Sequence, residues 1–247
     1  MTQTSSSSPQ RLYLMQLSST TVPLPTGQTL DMSMGCYLVQ TGDGKNILID
    51  SGLPADYTPP PGRPKSEQEK NVLEHLAALG LGPDDINLLI CTHFDVDHAG
   101  YHDTFPRAEH IVQRTHYTLA RNGYERFAPA RPHWDHPSLH YRLIDGDTEL
   151  LPGLTLIETS GHVPGHQSVL VDLPQTGKVL LAIDAVAMER NFTPEREKGP
   201  MDEDEEQLRA STRKLLDLAE REHVALVVFH HDGQQWRTLK KAPAYYE

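Results

Sequence analysis

No stretch of this chain approaches the roughly 20 consecutive apolar residues of a bilayer-spanning helix, so a helical membrane protein is excluded. The first ten residues, MTQTSSSSPQ, lack the basic start and apolar core of a secretory signal,. A cytoplasmic location is therefore expected. Basic residues are scarce: 22 Lys and Arg against 34 Asp and Glu leave a net charge of −12. That balance argues against nucleic acid as a partner, because phosphate contacts need clustered Lys and Arg. Cysteine is nearly absent. Cys36 and Cys91 each sit inside an apolar run, which favours two buried free thiols over a disulfide,. There is also no Gly-x-Ser-x-Gly turn, which weighs against a serine esterase,. Histidine, by contrast, is abundant at 14 residues, many beside Asp, Gly or Pro at the ends of apolar runs. A metal site becomes the first hypothesis to test.

At 247 residues the chain can bury one large core,. Residues 1–10 are polar and Ser-rich and read as a disordered tail, followed by a single domain over 11–247,. Short β-like runs come first: RLYLMQL (11–17), GCYLVQT (35–41) and NILID (46–50), the last two joined by the turn Gly42-Asp43-Gly44 as a hairpin,. A proline-rich loop covers 53–65. A helix follows, with Ser66 and Glu69 as its capping box, Val72, Leu73, Leu76 and Leu79 as its apolar stripe, and Gly80 as its stop,. INLLICT (86–92) reads as a strand buried on both faces, AEHIVQ (108–113) as another, and RTHYTLARN (114–122) as a short helix,. Residues 123–140 read as irregular. Four more strands are predicted in YRLID, GLTLIET, QSVLVDL and KVLLAID, ending at Asp184. The acidic run 202–206 opens a helix with Leu208, Leu215, Leu216 and Ala219 inward, where its charge suits the positive helix start,. ALVVFH (225–230) is the last strand. The order of these elements predicts two packed sheets with helices outside.

The chemistry concentrates in Thr92-His93-Phe94-Asp95-Val96-Asp97-His98-Ala99-Gly100, where four candidate ligands fall within six residues. Alternation puts His93, Asp95 and Asp97 on one side of an extended chain, and His98 breaks the pattern as the chain turns. The cluster can serve two adjacent ions. Carboxylates and imidazoles at the end of a buried strand are costly unless compensated. The same arrangement recurs far away: GLTLIETS runs into Gly161-His162-Val163-Pro164-Gly165-His166, KVLLAI into Asp184, and ALVVF into His230-His231-Asp232. One ligand-capable strand end is commonplace. Four together point to a shared ion.

These segments resemble the metallo-β-lactamase superfamily. THFDVDHAG is similar to its His-x-His-x-Asp-His motif, SGHVPGHQS to its Gly-His stretch, IDA to its bridging-aspartate strand end and FHHDGQQ to its last histidine. The motifs follow the family's order from about residue 11 onward, and the His-Asp-x-x-Gln ending most resembles N-acyl homoserine lactone lactonases. The resemblance implies an αββα four-layer sandwich, an α/β fold. It implies two divalent metal ions, Zn2+ with Mn2+ or Fe2+ as alternatives. His93, Asp95 and His162 would hold one, and Asp97, His98 and His231 the other, with Asp184 bridging. His231 is preferred over His230 because it directly precedes Asp-x-x-Gln. His166 would pack behind the site, and Asp50 would orient a ligand.

Two departures stand out. Asp95 occupies a position where the family has histidine, adding negative charge and hardening the ligand set. Ala187 stands where these lactonases place a tyrosine; Tyr101, Tyr117, Tyr124 and Tyr141 are candidates to supply that hydroxyl. The implied reaction is the opening of a lactone by a hydroxide shared between the two ions, with Asp97 and Asp184 as catalytic residues handling its proton. A small-molecule lactone is the expected partner, and a homodimer the expected assembly. Tyr124, Phe127, His133, Trp134 and His136 in 123–140 are candidates to cover the cleft, and the 53–65 loop to form its opposite wall. The alternatives are hydrolysis of a β-lactam, thioester or phosphoester on the same scaffold, a mono-iron enzyme of the persulfide-dioxygenase kind, or structural metals in a binding protein.

Overall fold

A computed structural model describes residues 7–23, 27–58, 67–68 and 70–247. Among these residues twelve strands make two sheets. In chain order they are β1 (Pro9–Pro23), β2 (Thr29–Thr41), β3 (Asn46–Ile49), β4 (Glu67–Gln68), β5 (Leu88–Ile90), β6 (Glu109–Gln113), β7 (His140–Ile144), β8 (Thr148–Leu151), β9 (Leu154–Glu158), β10 (Gln167–Leu173), β11 (Gly177–Ile183) and β12 (Leu226–Phe229). The first sheet runs β4-β1-β2-β3-β5-β6-β7 and the second β12-β11-β10-β9-β8. The helices are α1 (Val72–Ala78), α2 (Arg114–Arg121), α3 (Arg131–Trp134), α4 (Glu205–Arg221) and α5 (Gly233–Trp236). Among the described residues no helix is long and apolar enough to cross a membrane.

Two-residue alternation builds the four layers. Leu12, Leu14, Tyr37, Val39, Ile47 and Ile49 face Leu156, Val169, Val171, Val179 and Leu181 between the sheets,. The intervening residues Tyr13, Met15, Cys36, Leu38 and Leu48 point outward, under Val72 and Leu76 of α1 and Ala120 of α2. On the other side Leu170, Leu180 and Ala182 meet Leu215 and Leu218 of α4. This is the expected αββα sandwich. Cys36 and Cys91 are buried free thiols, as expected.

Several local expectations change. β1 begins at Pro9, so the last two residues assigned to a disordered tail lie in a strand, Pro9 standing opposite Thr41; residues 1–6 lie outside the described residues. The hairpin through 42–44 forms as expected, with β2 and β3 antiparallel. The expected capping pair Ser66 and Glu69 also lies outside the described residues. The capping box that holds α1 is Asn71 with Glu74, and Gly80 follows at φ +75 as the stop. In α4 the inward positions are Leu208, Leu215 and Leu218, while Leu216 is only half-buried. Residues 125–134 coil into 3-10 and α turns where the sequence suggests irregular chain. The reason is a tertiary contact: the Trp134 indole stacks on Phe94 at 4.8 Å and 6° and donates to the Phe127 carbonyl,. Phe127 and Trp134 are therefore core residues and do not line a cleft.

The topology aims one end of the sandwich at a single spot. β3 and β5 are parallel neighbours in the first sheet, and β11 and β12 in the second. Their carboxyl ends release Asp50, the 92–98 segment, Asp184 and His230-His231. The turn after β9 supplies His162, and it fits only because Gly161 has no side chain. Gly161 sits at φ +132, and a Cβ there would lie 2.3 Å from the Leu208 nitrogen in α4. Its carbonyl accepts the Glu203 and Asp204 amides that begin this helix. Gly161→Ala is expected to destabilise the fold by roughly 1–3 kcal/mol through overpacking and backbone strain. A lower urea midpoint at unchanged slope would show it; an unchanged midpoint would contradict it.

Candidate metal centre

Each of the four central imidazoles has its Nδ1 occupied. His98 Nδ1 lies 2.8 Å from Asp50 Oδ2, His162 Nδ1 2.9 Å from Asp202 Oδ1, His231 Nδ1 2.9 Å from the Ser33 carbonyl and His93 Nδ1 3.0 Å from Thr92 Oγ1. With Nδ1 donating to those acceptors, Nε2 carries the lone pair and faces inward. Asp50 is fully buried and holds more than His98: it also accepts from the Thr92 amide at 2.8 Å and the Thr92 hydroxyl at 2.6 Å. It thereby fixes the start of the ligand segment.

The inward atoms form two neighbouring sets. His93, Asp95 and His162 offer ligand atoms within 4.8 Å of one another, and so do His98, Asp184, His230 and His231. Asp184 stands between the sets. Its Oδ2 lies 3.7 Å from His93 Nε2, 3.4 Å from His162 Nε2 and 3.5 Å from His98 Nε2, while Oδ1 lies 3.3 Å from His231 Nε2. Asp97 is at the margin, its Oδ2 3.7 Å from His231 Nε2 and 4.0 Å from His98 Nε2. All seven residues singled out in the sequence thus come together. His230 joins them; its Nδ1 meets the Tyr37 hydroxyl at 3.1 Å.

A cation fits this donor set. His93 Nε2, His98 Nε2, Asp184 Oδ1 and His230 Nε2 are buried and make no hydrogen bond, a costly arrangement unless an ion takes their lone pairs. Separations of 3.2–3.7 Å among His93, Asp95, His162 and Asp184 are those of donors each about 2 Å from one shared cation,. Without an ion, protons carry the compensation. Burial pushes the Asp184 carboxyl up, but His231 and His98 outweigh it and hold it well below the carboxylate range. Burial lowers His162, yet bonds to Asp202 and Asp95 push it up to about 9. A bound cation would displace such protons.

Among the supporting residues, Asp50 and His166 were named from the sequence, and His116 and Arg126 were not. His166 donates from Nδ1 to Thr159 Oγ1 (2.9 Å) and accepts the Asp184 amide at Nε2 (3.3 Å), so it packs behind the site and steadies Asp184. His116, read only as part of a helix, accepts the Phe94 amide at 2.9 Å and donates to the Pro164 carbonyl at 2.8 Å. It ties the two ligand loops together. Arg126 forks onto Asp95, Nε to Oδ1 at 2.7 Å and Nη2 to Oδ2 at 2.5 Å. Of the four candidate tyrosines, Tyr124 is the one linked to the centre, donating to Glu203 at 2.6 Å, which in turn pairs with Arg126. Tyr141 donates to the Trp134 carbonyl in the core. His133 pairs with Asp103 and His136 with Ser138, away from the ligands.

Comparison with known proteins follows the same lines. The family model for the metallo-beta-lactamase superfamily matches residues 36–231. An N-acyl homoserine lactonase from a Bacillus species is 34% identical, with 94% of each chain covered. AiiA, the N-acyl homoserine lactonase of Bacillus thuringiensis subsp. kurstaki, is 33% identical over the same share of both chains. A solved N-acyl homoserine lactone hydrolase, with its product N-hexanoyl-L-homoserine at the catalytic metal centre, superposes with a TM-score of 0.85 at 30% identity, covering 97% of this chain and 100% of that one.

The Asp50 network yields a direct test. In Asp50→Asn the amide nitrogen would face His98 Nδ1–H, turning one acceptor into a donor and reversing the tautomer. Metal affinity is expected to fall about 10–100-fold, read by equilibrium dialysis against buffered Zn2+; an unchanged affinity would refute the orienting role.

Proposed function

Because the chain belongs to the metallo-beta-lactamase superfamily, we propose that it is a metal-dependent hydrolase that opens the ring of N-acyl homoserine lactones. The observation that carries this reading is the carboxylate of Asp184, buried between two imidazole sets with Oδ2 toward His93, His162 and His98 and Oδ1 toward His231. His93, Asp95 and His162 would hold one divalent cation and His98, His231 and Asp97 a second, with Asp184 shared. Imidazole and carboxylate donors suit zinc, and Asp95 widens the choice toward manganese or iron. Such ions, when bound, supply a nucleophilic hydroxide near neutral pH and polarise an ester carbonyl.

The chain's own groups do the rest. The Nδ1 anchors keep every Nε2 aimed without reorganisation, so the site is built before substrate arrives. Opening the ring adds the oxygen of water to the carbonyl carbon and breaks the ring C–O bond; one of water's protons goes to the leaving alkoxide, giving an alcohol, and the other leaves the new carboxyl group for solvent, giving a carboxylate. Asp184 or Asp97 takes the proton from the attacking water and returns it to the alkoxide. Asp97 is the more accessible of the two, its side chain 24% exposed against 5% for Asp184, so it can exchange that proton at the mouth. Ala187 offers no hydroxyl, and its carbonyl accepts the His231 amide at 3.0 Å. The position serves the backbone of a ligand and not the substrate.

Purified protein should contain tightly held metal and open N-hexanoyl homoserine lactone, with activity lost on chelation and restored by Zn2+ or Mn2+. Asp184→Asn should lower kcat/KM by at least about a hundredfold. Full turnover by metal-free protein would sink the mechanism. Turnover of a β-lactam, thioester or phosphoester in preference to lactones would move the substrate class.

A further inference from the structure

The two ligand sets are not equivalent. Around His98 the atoms His98 Nε2, His230 Nε2 and Asp184 Oδ1 make no hydrogen bond, and His93 Nε2 on the other side makes none either. In the other set a resident cation is already present. The Arg126 guanidinium donates both Nε and Nη2 to the Asp95 carboxylate, and Nη2 also lies 2.9 Å from His162 Nε2. Nη2 thus lies against the two atoms, His162 Nε2 and Asp95 Oδ2, that a metal in this set would also need. The guanidinium and a metal cannot hold both at once.

We propose that Arg126 makes metal uptake sequential: the His98–Asp184–His231 set fills first, and the His93–Asp95–His162 set fills only as Arg126 gives up His162 and the Nη2 bond to Asp95. The proposal rests on the metal-dependent reading above. The exchange needs no large motion, because the other edge of the guanidinium is held independently. Nη1 donates to the Met201 carbonyl at 2.6 Å and to Glu203 at 3.2 Å, and Glu203 is itself fixed by the Tyr124 hydroxyl. Arg126 can therefore withdraw Nη2 and keep a seat beside the site. The charge logic agrees. Asp95 adds a carboxylate that a histidine would not, and Arg126 neutralises it while the set is empty; an arriving dication meets that positive charge and binds less tightly.

The test counts metal and uses no lactone. Wild-type protein is equilibrated against a series of buffered Zn2+ concentrations, and bound zinc per chain is measured by mass spectrometry. Two steps are expected, the second weaker. Asp95→Asn should abolish the weaker step and spare the tighter one. Arg126→Met should strengthen the weaker step by about 5–150-fold, the usual range for coupling between sites, and leave the tighter one in place. Arg126→Lys, which keeps the charge but cannot fork across Asp95 and His162, should move the same step in the same direction by less, and it serves if the Met variant does not fold. Loss of the tighter step in Asp95→Asn would overturn the proposal, as would a weaker step indifferent to both Arg126 variants. A protein that shows these steps yet leaves lactones intact would refute the lactonase reading alone.

Discussion

Imidazoles converge here because their other nitrogens are tied down. Asp50, Thr92, Asp202 and the Ser33 carbonyl each engage one Nδ1, and this decides that Nε2 points inward. The carboxylates complete the problem. Asp184 and Asp95 are buried among these rings, where an ionised group is tolerable only with nearby positive charge. The interior therefore demands cations at this spot, whether protons, a guanidinium or metal ions, and the rest of the architecture serves to hold that demand open.

Backbone strain marks the same place. Asp50 has φ +58 and Ile183 φ +53, and a β-branched residue in that region is an outlier costing of order 1–3 kcal/mol. Both stand where a strand stops and the chain must turn sharply to present a side chain. Ile183 can bear the strain because its side chain is wholly buried between the sheets. Inter-sheet packing thus sets the aim of Asp184, one residue later. The hydrophobic core and the reactive centre are one mechanical unit.

What could be read in advance was whatever is local and repeated. Strand ends carrying ligands announce themselves four times, and their order along the chain resembles a known family, so the layers and all seven ligand candidates were legible. What was hidden depends on partners distant in sequence. Arg126 is 31 residues from Asp95 and cannot itself ligate a metal, so nothing local distinguished it. His116 lay within a helical pattern, and its two backbone bonds span 22 and 48 residues. The coiling of 125–134 follows from Trp134 stacking on Phe94, a contact no propensity encodes. Pro9 in a strand was missed because it sits at the strand's first position, where a lost N–H is harmless.

The candidate ligands come from both halves of the polypeptide: 93–98 leave the seven-stranded sheet, while His162, Asp184 and His231 leave the five-stranded one. An ion held by them would be a rivet through the seam between the layers. Anything that binds only the folded form adds to its stability by mass action, about 4 kcal/mol at a thousand times the dissociation constant. Starved of metal, the sandwich would be left to its apolar interior alone, and its lifetime would track the supply of ions in its surroundings.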